Sequence, residues 1–275
     1  MGQDADLIQH YGGGGLLKAI EAGLAASGKS PQSATVEDLA PVDEFHVGGR
    51  SATVALCERL DIDADMELLD IGCGIGGTAR FLAAETDCRV TGVDLSPTYV
   101  EIAKALSEWT GLGSRCRFEA GSALELPFAD DSFDRAVQLH VGMNIADKTA
   151  LFAEIARVLR PGGRFGVYDI VRQGSAELSY PVPWASDESQ SFVADGASYR
   201  DALESAGFVV NERDRRQFAL GFFAAQAAKA ATGSGPPPLG LHLTIGADTP
   251  TKLGNLRQAI VDGTLAPVEF VCDLS

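Results

Sequence analysis

The sequence predicts an α/β fold in which a parallel sheet is covered by helices on both faces. From Met66 onward, short apolar strands alternate with amphipathic helices at the spacing of strand–helix–strand units. The first strand, "MELLDIG", runs directly into the glycine-rich stretch "CGIGG", and a helix follows. In open sheets of this kind, ligands bind outside the carboxyl ends of the strands. We therefore expect the functional site at that edge.

Each element is predicted from its periodicity and its stop signals. Ahead of the sheet, two segments have helical periodicity, "LLKAIEAGLAASG" (16–28) and "RSATVALCERLDI" (50–62). The stretch between them is predicted as a loop with a short helical turn. The core strands are "MELLDIG", "RVTGVDLS", "CRFEAGSA", "FDRAVQLHV", "RFGVYDIV" and "FVVNERDR", and "APVEFVCDLS" is predicted as the last strand. The core helices are "GTARFLAAET", "PTYVEIAKALSEWTG", "KTALFAEIARVLRPGG" and "SYRDALESAG".

Two segments interrupt the alternation of strands and helices. Residues 172–197 are rich in proline and serine, and residues 215–263 carry an apolar helix, the stretch "GSGPPPLG" and a further helix. Long insertions in a compact domain are more often functional lids than idle loops. These two segments are therefore predicted to cover the ligand.

Composition restricts the classes of partner. The 275 residues include 38 acidic and 22 basic side chains, a formal net charge of −16, which repels nucleic acid and anionic membranes. The five cysteines form no C-x-x-C pair, and the histidines show no paired metal-ligand spacing. The first residues, "MGQDADLIQHYGGGG", lack the pattern of a signal peptide. We expect a cytoplasmic protein, a monomer or homodimer, that binds no metal, nucleic acid or membrane.

The glycine-rich loop admits three interpretations. Gly72, Gly74 and Gly77 satisfy the G-x-G-x-x-G dinucleotide pattern, although an ordinary strand-to-helix turn has the same composition. Asp70 would repel a pyrophosphate at the strand's end but would attract the ammonium of a methionine moiety. Asp94, 22 residues after Gly72, is placed to accept the ribose hydroxyls of an adenosine. The neighbours of the loop therefore favour S-adenosylmethionine over a nicotinamide cofactor.

Four motifs carry a family resemblance. "LLDIGCGIGG", "VTGVDLS", "ALELPFADDSFDRAV" and "EIARVLRPGGRFGVYDI" resemble the successive motifs of class I S-adenosylmethionine-dependent methyltransferases, over residues 45–213. The resemblance implies a Rossmann-like, seven-stranded, mostly parallel sheet whose last strand is antiparallel, with helical lid and cap insertions. The cofactor would be S-adenosyl-L-methionine and the product S-adenosyl-L-homocysteine. Among family members the chain looks most similar to small-molecule enzymes, such as sarcosine/dimethylglycine N-methyltransferases and natural-product O-methyltransferases.

The resemblance also implies one methyltransferase domain over residues 1–275. Its parts would be an N-terminal lid region (1–49), a cofactor-binding core (50–213) with a substrate loop (172–197), a cap insertion (214–263) and a final strand (264–275).

Cofactor contacts are implied residue by residue. The loop residues Asp70, Gly72, Cys73, Gly74 and Gly76 would surround the methionine and ribose, and Asp94 would bind the ribose. Leu95 and Ala123 would contact the adenine, together with Ser122, which stands where family members often have aspartate. Further predicted contacts come from Leu139, from Tyr11 in a lid with glycine hinges, and from Arg50 and His46 near the methionine carboxylate.

Candidate catalytic groups lie at the ends of the fourth and fifth strands. His140 with Asp169 would form a base for a hydroxyl acceptor, and Asn144 would assist, whereas an amine acceptor would need no base. The alternative roles are structural, with His140 in the pocket floor and Asp169 capping a loop. Trp184, in a proline-fixed loop, would face an apolar or cationic substrate. His46 and Phe222 are the other predicted substrate contacts, although the spacing of Phe222 also suits the core of a lid.

The predicted function is methyl transfer to nitrogen or oxygen of a small molecule, by in-line displacement in a closed pocket. A quinone-type C-methyltransferase and a non-catalytic partner protein that binds S-adenosylmethionine are the alternatives.

Overall fold

The computed structural model describes residues 15–232 and 237–275. At its centre lies a seven-stranded sheet with the strand order β3-β2-β1-β4-β5-β7-β6. The strands are β1 (Glu67–Ile71), β2 (Arg89–Asp94), β3 (Cys116–Ala120), β4 (Phe133–Leu139), β5 (Leu159–Arg172), β6 (Phe208–Asp214) and β7 (Leu265–Leu274). Strands β1 to β5 are parallel, and β7 pairs antiparallel with both β5 and β6. The predicted fold class is confirmed, including the antiparallel last strand.

Ten helices of four or more residues accompany the sheet in the described part of the chain. They are α1 (Leu16–Ala26), α2 (Val36–Asp43), α3 (Arg50–Cys57), α4 (Gly77–Thr86), α5 (Pro97–Trp109), α6 (Lys148–Val158), α7 (Gly196–Ser205), α8 (Arg216–Thr232), α9 (His242–Ile245) and α10 (Thr249–Val261). None of these described helices has the length and apolar character that a bilayer span requires.

Helices bury both faces of the sheet, as predicted. On one face, Phe152 of α6 and Leu203 of α7 pack in a buried cluster with strand residues such as Val167. On the other face, α3, α4 and α5 pack against β1, β2 and β4, and Leu68 and Val137 lie fully buried there. Burying strands on both sides removes apolar surface from water and leaves their carboxyl ends as the accessible edge.

The helix predicted to run through "RPGG" is shorter in the structure. It ends at Val158, and β5 begins at Leu159. Pro161 has no amide hydrogen to continue a helix, and Gly162 has a φ of 76°, which ends helical geometry. This part of the prediction is wrong because the stop signals outweigh the helical period before them.

The segments outside the sheet form two further apolar clusters. Helices α1 and α2 pack with α5 and with Leu239, near the carboxyl ends of β1 and β2. Trp184 of the 172–197 segment packs with Met143 and with Leu256 of α10. Helix α2 lies in the stretch predicted as mostly loop, and it begins at a capping box: the Asp38 amide donates to Thr35 Oγ1 at 3.2 Å, and the Thr35 amide donates to Asp38 Oδ2 at 3.0 Å.

Candidate active site

One cavity opens at the carboxyl ends of β1, β2 and β4, and most of the predicted site residues line it. Its lining includes predicted residues from both groups: Asp70, Gly72, Cys73, Gly74, Asp94, Leu95, Ser122, Ala123 and Leu139 for the cofactor, and His46, His140, Asn144 and Trp184 for the acceptor. Six separate segments of the chain thus meet in the same space. A ligand bound by the glycine loop would lie in the same cavity as the two histidines.

Backbone geometry explains the glycines of the loop. Gly72 and Cys73 both donate their amides to the Val93 carbonyl, at 2.8 and 3.0 Å, so the loop folds back on β2. Gly72 has a φ of 65°, and a Cβ atom there would lie 2.4 Å from the side chain of Val141. Gly74 has nothing within 4 Å of its ideal Cβ position. The first glycine is therefore required for packing, and the second leaves open space for a ligand.

Asp94 holds the loop from the end of β2. Its Oδ2 accepts from the Gly74 amide at 2.9 Å, and its Oδ1 accepts from the Ser96 amide at 2.9 Å. Each carboxylate oxygen has a second lone pair, which leaves capacity for two hydroxyl donors from the cavity. This is the chemistry that a ribose requires.

Two buried carboxylates beside the loop have an oxygen without a hydrogen-bond partner among the described residues. These atoms are Oδ2 of Asp43 and Oδ2 of Asp70, and both residues line the cavity. Burial, reinforced by the negative charge of Asp94, raises the pKa of Asp70 to about 8. An ammonium group in the cavity would satisfy these oxygens and favour their charged forms. The residues present therefore fit the methionine end of S-adenosylmethionine.

Ser122 and Ala123 line the opposite end of the cavity with Leu95 and Leu124. The Ser122 hydroxyl oxygen accepts from the Leu124 amide at 3.2 Å and keeps its own hydrogen for a ligand. Apolar side chains with one adjustable hydroxyl suit a flat heterocycle.

Asp169 does not contact His140 in the structure. Its fully buried carboxylate accepts from Gln138 Nε2 at 2.8 Å, from the amides of Val141 and Gly142 at 2.8 and 3.0 Å, and from the Tyr199 hydroxyl at 3.1 Å. Asp169 is also absent from the described cavity lining. The predicted pairing of His140 with Asp169 is therefore wrong, because four donors from other elements occupy the carboxylate. Its geometry is that of a loop anchor.

His140 follows β4 in a left-handed conformation, with a φ of 56°. Its ring stacks on Tyr168 at a centroid distance of 5.3 Å, and its buried Nε2 has no hydrogen-bond partner among the described residues. Burial holds the pKa of His140 well below its usual range, so the imidazole is neutral. A non-glycine residue in this region of φ/ψ space is uncommon, and here it directs the ring into the cavity.

His46 approaches His140 from the segment after α2. The two rings meet edge to face, with centroids 5.9 Å apart. His46 Nε2 lies 3.2 Å from the Gly49 carbonyl oxygen, 3.0 Å from Thr53 Oγ1 and 3.3 Å from Glu44 Oε2. Sequence analysis missed Glu44 and Thr53, although both lie within eight residues of His46 in the printed sequence.

Three predicted contacts lie outside the described cavity lining. Gly76 is one, and an ideal Cβ atom there would lie 2.8 Å from the ring of Phe118. Arg50 is another, because its Nε forms an ion pair with Glu44 Oε1 at 2.5 Å and its guanidinium lies over the ring of Phe81. Phe222 is the third, and its ring centroid lies 6.0 Å from that of Phe223. Tyr11 lies outside the described residues.

Other lining residues carry no recognisable sequence signal. Phe45, Met143, Ile145 and Pro183 give the cavity an apolar surface beside the two histidines, and Thr244 of α9 also lines it. Thr244 lies 170 residues after Gly74 in the chain (244 − 74), so only the tertiary fold brings them together.

Comparison with known proteins adds an independent finding. The family model described as a methyltransferase domain matches residues 69–167, from β1 into β5. The predicted resemblance to class I S-adenosylmethionine-dependent methyltransferases is thereby confirmed. The matched residues include the glycine loop, Asp94 and His140, whereas His46 and Trp184 come from segments outside the match.

Relatives and solved structures agree with the methyltransferase domain. The chain is 39% identical over 140 residues to methyltransferase GfsG of Streptomyces halstedii, which covers 51% of this chain and 50% of that protein. It spans about half or less of the length of the first curated relatives that it matches.

Two solved structures share the fold over most of both chains. A putative sarcosine dimethylglycine methyltransferase from Galdieria sulphuraria has a TM-score of 0.65 at 20% identity, covering 82% of this chain and 85% of that one. Geranyl diphosphate C-methyltransferase from Streptomyces coelicolor A3(2), in complex with Mg²⁺, geranyl diphosphate and S-adenosyl-L-homocysteine, has a TM-score of 0.66 at 20% identity, covering 82% and 79%. At this identity the likeness concerns the fold.

Proposed function

We propose that the protein is an S-adenosylmethionine-dependent methyltransferase that transfers a methyl group to oxygen or nitrogen of a small molecule. The observation that carries the proposal is the shared cavity, in which the loop residues Gly72 and Gly74 and the carboxylate of Asp94 line the same space as His46 and His140. A methyl transfer requires such an arrangement, since donor and acceptor must lie in line and close together.

Within this proposal, the chain's own residues bind and orient the cofactor. Asp94 accepts the ribose hydroxyls, and Ser122 and Ala123 border the adenine. Asp43 and Asp70 face the methionine ammonium with the carboxylate oxygens that lack protein partners. When bound, S-adenosylmethionine supplies a methyl group on a positively charged sulfur. In general, alignment of two reactants can lower a barrier by up to roughly 7–11 kcal/mol.

The charge of the cavity restricts the acceptor. Among the described residues that line it there is no lysine or arginine, whereas Asp43, Asp70 and Asp94 are acidic. A phosphate or diphosphate on the acceptor would find no lysine or arginine side chain in the described lining to pair with. We therefore propose an uncharged or cationic acceptor with an apolar body that packs against Phe45, Met143 and Trp184. This differs from the geranyl diphosphate bound in the structurally similar enzyme.

The division into lid, core, substrate loop, cap and final strand belongs to the same proposal. Helices α1 and α2 and the 172–197 segment lie at the cavity side of the sheet, which supports a covering role. A cytoplasmic location is supported by the five cysteines, which are all free thiols. We retain a monomer or homodimer as the assembly, and the acidic charge argues against nucleic acid as a partner.

The test is calorimetric titration with S-adenosylmethionine and S-adenosylhomocysteine. Wild type is expected to bind both, and Asp94→Ala is expected to lose at least about tenfold in affinity, the loss of one charge-assisted contact. Asp65→Ala, an exposed aspartate in a turn, is the matched control. A labelled methyl donor and a panel of phenols, alcohols, amines and quinones then test turnover.

Each outcome separates the alternatives. Absence of binding to wild type contradicts the proposal. Binding without turnover of any panel member favours the non-catalytic partner protein, and methylation of a quinone carbon favours the C-methyltransferase.

A further inference from the structure

We propose that His46, positioned by Glu44, is the base that removes the proton from a hydroxyl acceptor. This inference rests on the proposed function and specifies the acceptor atom as oxygen. It replaces the predicted pair of His140 and Asp169, which the structure does not form.

The surroundings of His46 fix its tautomer. The Gly49 carbonyl oxygen lies 3.2 Å from His46 Nε2 and can only accept a hydrogen bond, so Nε2 carries the hydrogen. The Thr53 hydroxyl donates its hydrogen to Glu44 Oε2 at 2.7 Å, so toward His46 Nε2 it can act only as an acceptor, at 3.0 Å. In a neutral imidazole with a protonated Nε2, the lone pair is on Nδ1.

The lone pair of Nδ1 is available to a ligand. The hydrogen bonds of the His46 ring with described residues all involve Nε2. The ring lines the cavity and meets the His140 ring edge to face, so it borders the space that the acceptor must occupy. Its side chain is only 4% exposed, which excludes most competing water.

A carboxylate contacts the His46 ring, whereas no described carboxylate is hydrogen-bonded to the His140 ring. Glu44 Oε2 lies 3.3 Å from His46 Nε2, and Arg50 Nε lies 2.5 Å from Glu44 Oε1. The arginine favours the charged form of the glutamate, and the glutamate would stabilise an imidazolium at His46. For His140, the structure describes no carboxylate in hydrogen-bond contact, since the oxygens of Asp169 are engaged by other donors.

The proposed step moves one proton to His46 and one methyl group to the acceptor oxygen. The acceptor O–H bond breaks and its proton moves to His46 Nδ1, while the oxygen forms a bond to the methyl carbon. The carbon–sulfur bond breaks and its electron pair remains on sulfur, giving S-adenosylhomocysteine. The imidazolium returns its proton to solvent after the methylated product leaves. His140, with its unpartnered Nε2, is left to orient the acceptor.

The protonation state of His46 before the reaction leaves its lone pair free. Burial lowers the pKa of His46 to about 4, so the ring is neutral at physiological pH. Burial raises the pKa of Glu44, and the nearby Arg50 opposes that shift.

The experiment uses phenols graded in acidity as acceptors, with wild type, His46→Gln, Glu44→Gln and the exposed control Glu101→Gln. A weakly acidic phenol needs a base, so the methylation rate of His46→Gln with it is expected to fall about 100-fold or more below that of wild type. With a nitrophenol that is already ionised at the assay pH, the rate is expected to fall less than about tenfold, because no proton remains to be removed. Glu44→Gln should show the same trend more weakly. An equal fractional loss across the series would overturn the proposal.

A second measurement does not depend on finding an acceptor. Ring-nitrogen NMR of the ¹⁵N-labelled protein with S-adenosylhomocysteine, assigned with His46→Gln, is expected to show a neutral His46 with its hydrogen on Nε2. A hydrogen on Nδ1 would overturn the assignment of the base. Calorimetry with S-adenosylhomocysteine on the same samples separates this result from failure of the proposed function, because cofactor binding does not require the base.

Discussion

Asp169 accepts a hydrogen bond from the backbone amide of Val141 at 2.8 Å, which ties the loop after β4 to the neighbouring strand β5. Val141 in turn lies against Gly72, where a Cβ atom would come within 2.4 Å of its side chain. The buried carboxylate therefore supports the first glycine of the cofactor loop through one intervening residue, without touching the ligand.

Replacing Asp169 by Asn is expected to destabilise the protein by about 1–3 kcal/mol. The amide NH₂ of asparagine would face one of the four donors now bound by the carboxylate and leave it unsatisfied. Chemical denaturation measures the change, and calorimetry should show a weaker affinity for S-adenosylhomocysteine. Asp201→Asn, exposed on α7, is the control. Unchanged stability in Asp169→Asn would contradict the anchoring role.

The pair Gly72→Ala and Gly111→Ala separates backbone strain from packing. Both glycines have a positive φ, 65° and 74°, so both variants incur roughly 1–2 kcal/mol of conformational strain. A Cβ at position 111 meets nothing within 4 Å, whereas one at position 72 collides with Val141. Gly72→Ala is therefore expected to lose more stability and at least about tenfold in cofactor affinity. Equal losses in the two variants would argue against the close contact.

Cofactor binding is expected to release a proton from Asp70. In the free protein the pKa of Asp70 is raised to about 8, so the carboxyl is mostly protonated at pH 7. A bound cation favours the carboxylate and lowers this pKa, so affinity should rise with pH between 6 and 7, by up to about tenfold per unit. Calorimetry in buffers of different ionisation enthalpy measures the released proton. Asp70→Asn should remove this dependence, and a wild type that takes up protons would contradict the assignment.

The cofactor half of the cavity could be predicted because its residues follow one another closely in the chain. Asp70, Gly72 and Gly74 lie on one strand-to-loop connection, and Asp94 ends the next strand, so the parallel sheet alone brings them to one edge. Their residue types also indicate their roles, since glycine allows a ligand to approach the backbone closely and a carboxylate accepts hydrogen bonds from hydroxyl groups.

The acceptor half could not be predicted in the same way. The role of Asp169 depends on donors from β4, from the loop after it and from α7, which only the packed structure combines. Arg50 was expected at the cofactor carboxylate, but in the structure it forms an ion pair with Glu44, six residues earlier in the chain. A sequence shows which charged groups exist, while packing decides which of several carboxylates a given cation or imidazole meets.

Trp184 is expected to affect the acceptor and not the cofactor. Its ring is 3% exposed and lines the cavity, and its Nε1 donates to Ser191 Oγ at 3.0 Å. Trp184→Phe keeps an aromatic ring in the cavity lining but makes that ring smaller. KM for the acceptor should therefore rise, while the affinity for S-adenosylhomocysteine stays unchanged. Trp184→Ala is expected to cost about 3–5 kcal/mol of stability as well, because a large buried ring is removed.

The control for Trp184 is Trp109→Phe, since Trp109 packs with α1 and α2 and is not among the described residues that line the cavity. Steady-state kinetics at saturating donor, with the acceptor found in the turnover panel, gives KM and kcat separately. A rise in KM for Trp184→Phe but not for Trp109→Phe places the ring against the acceptor. An unchanged KM together with weaker binding of S-adenosylhomocysteine would instead place Trp184 at the cofactor.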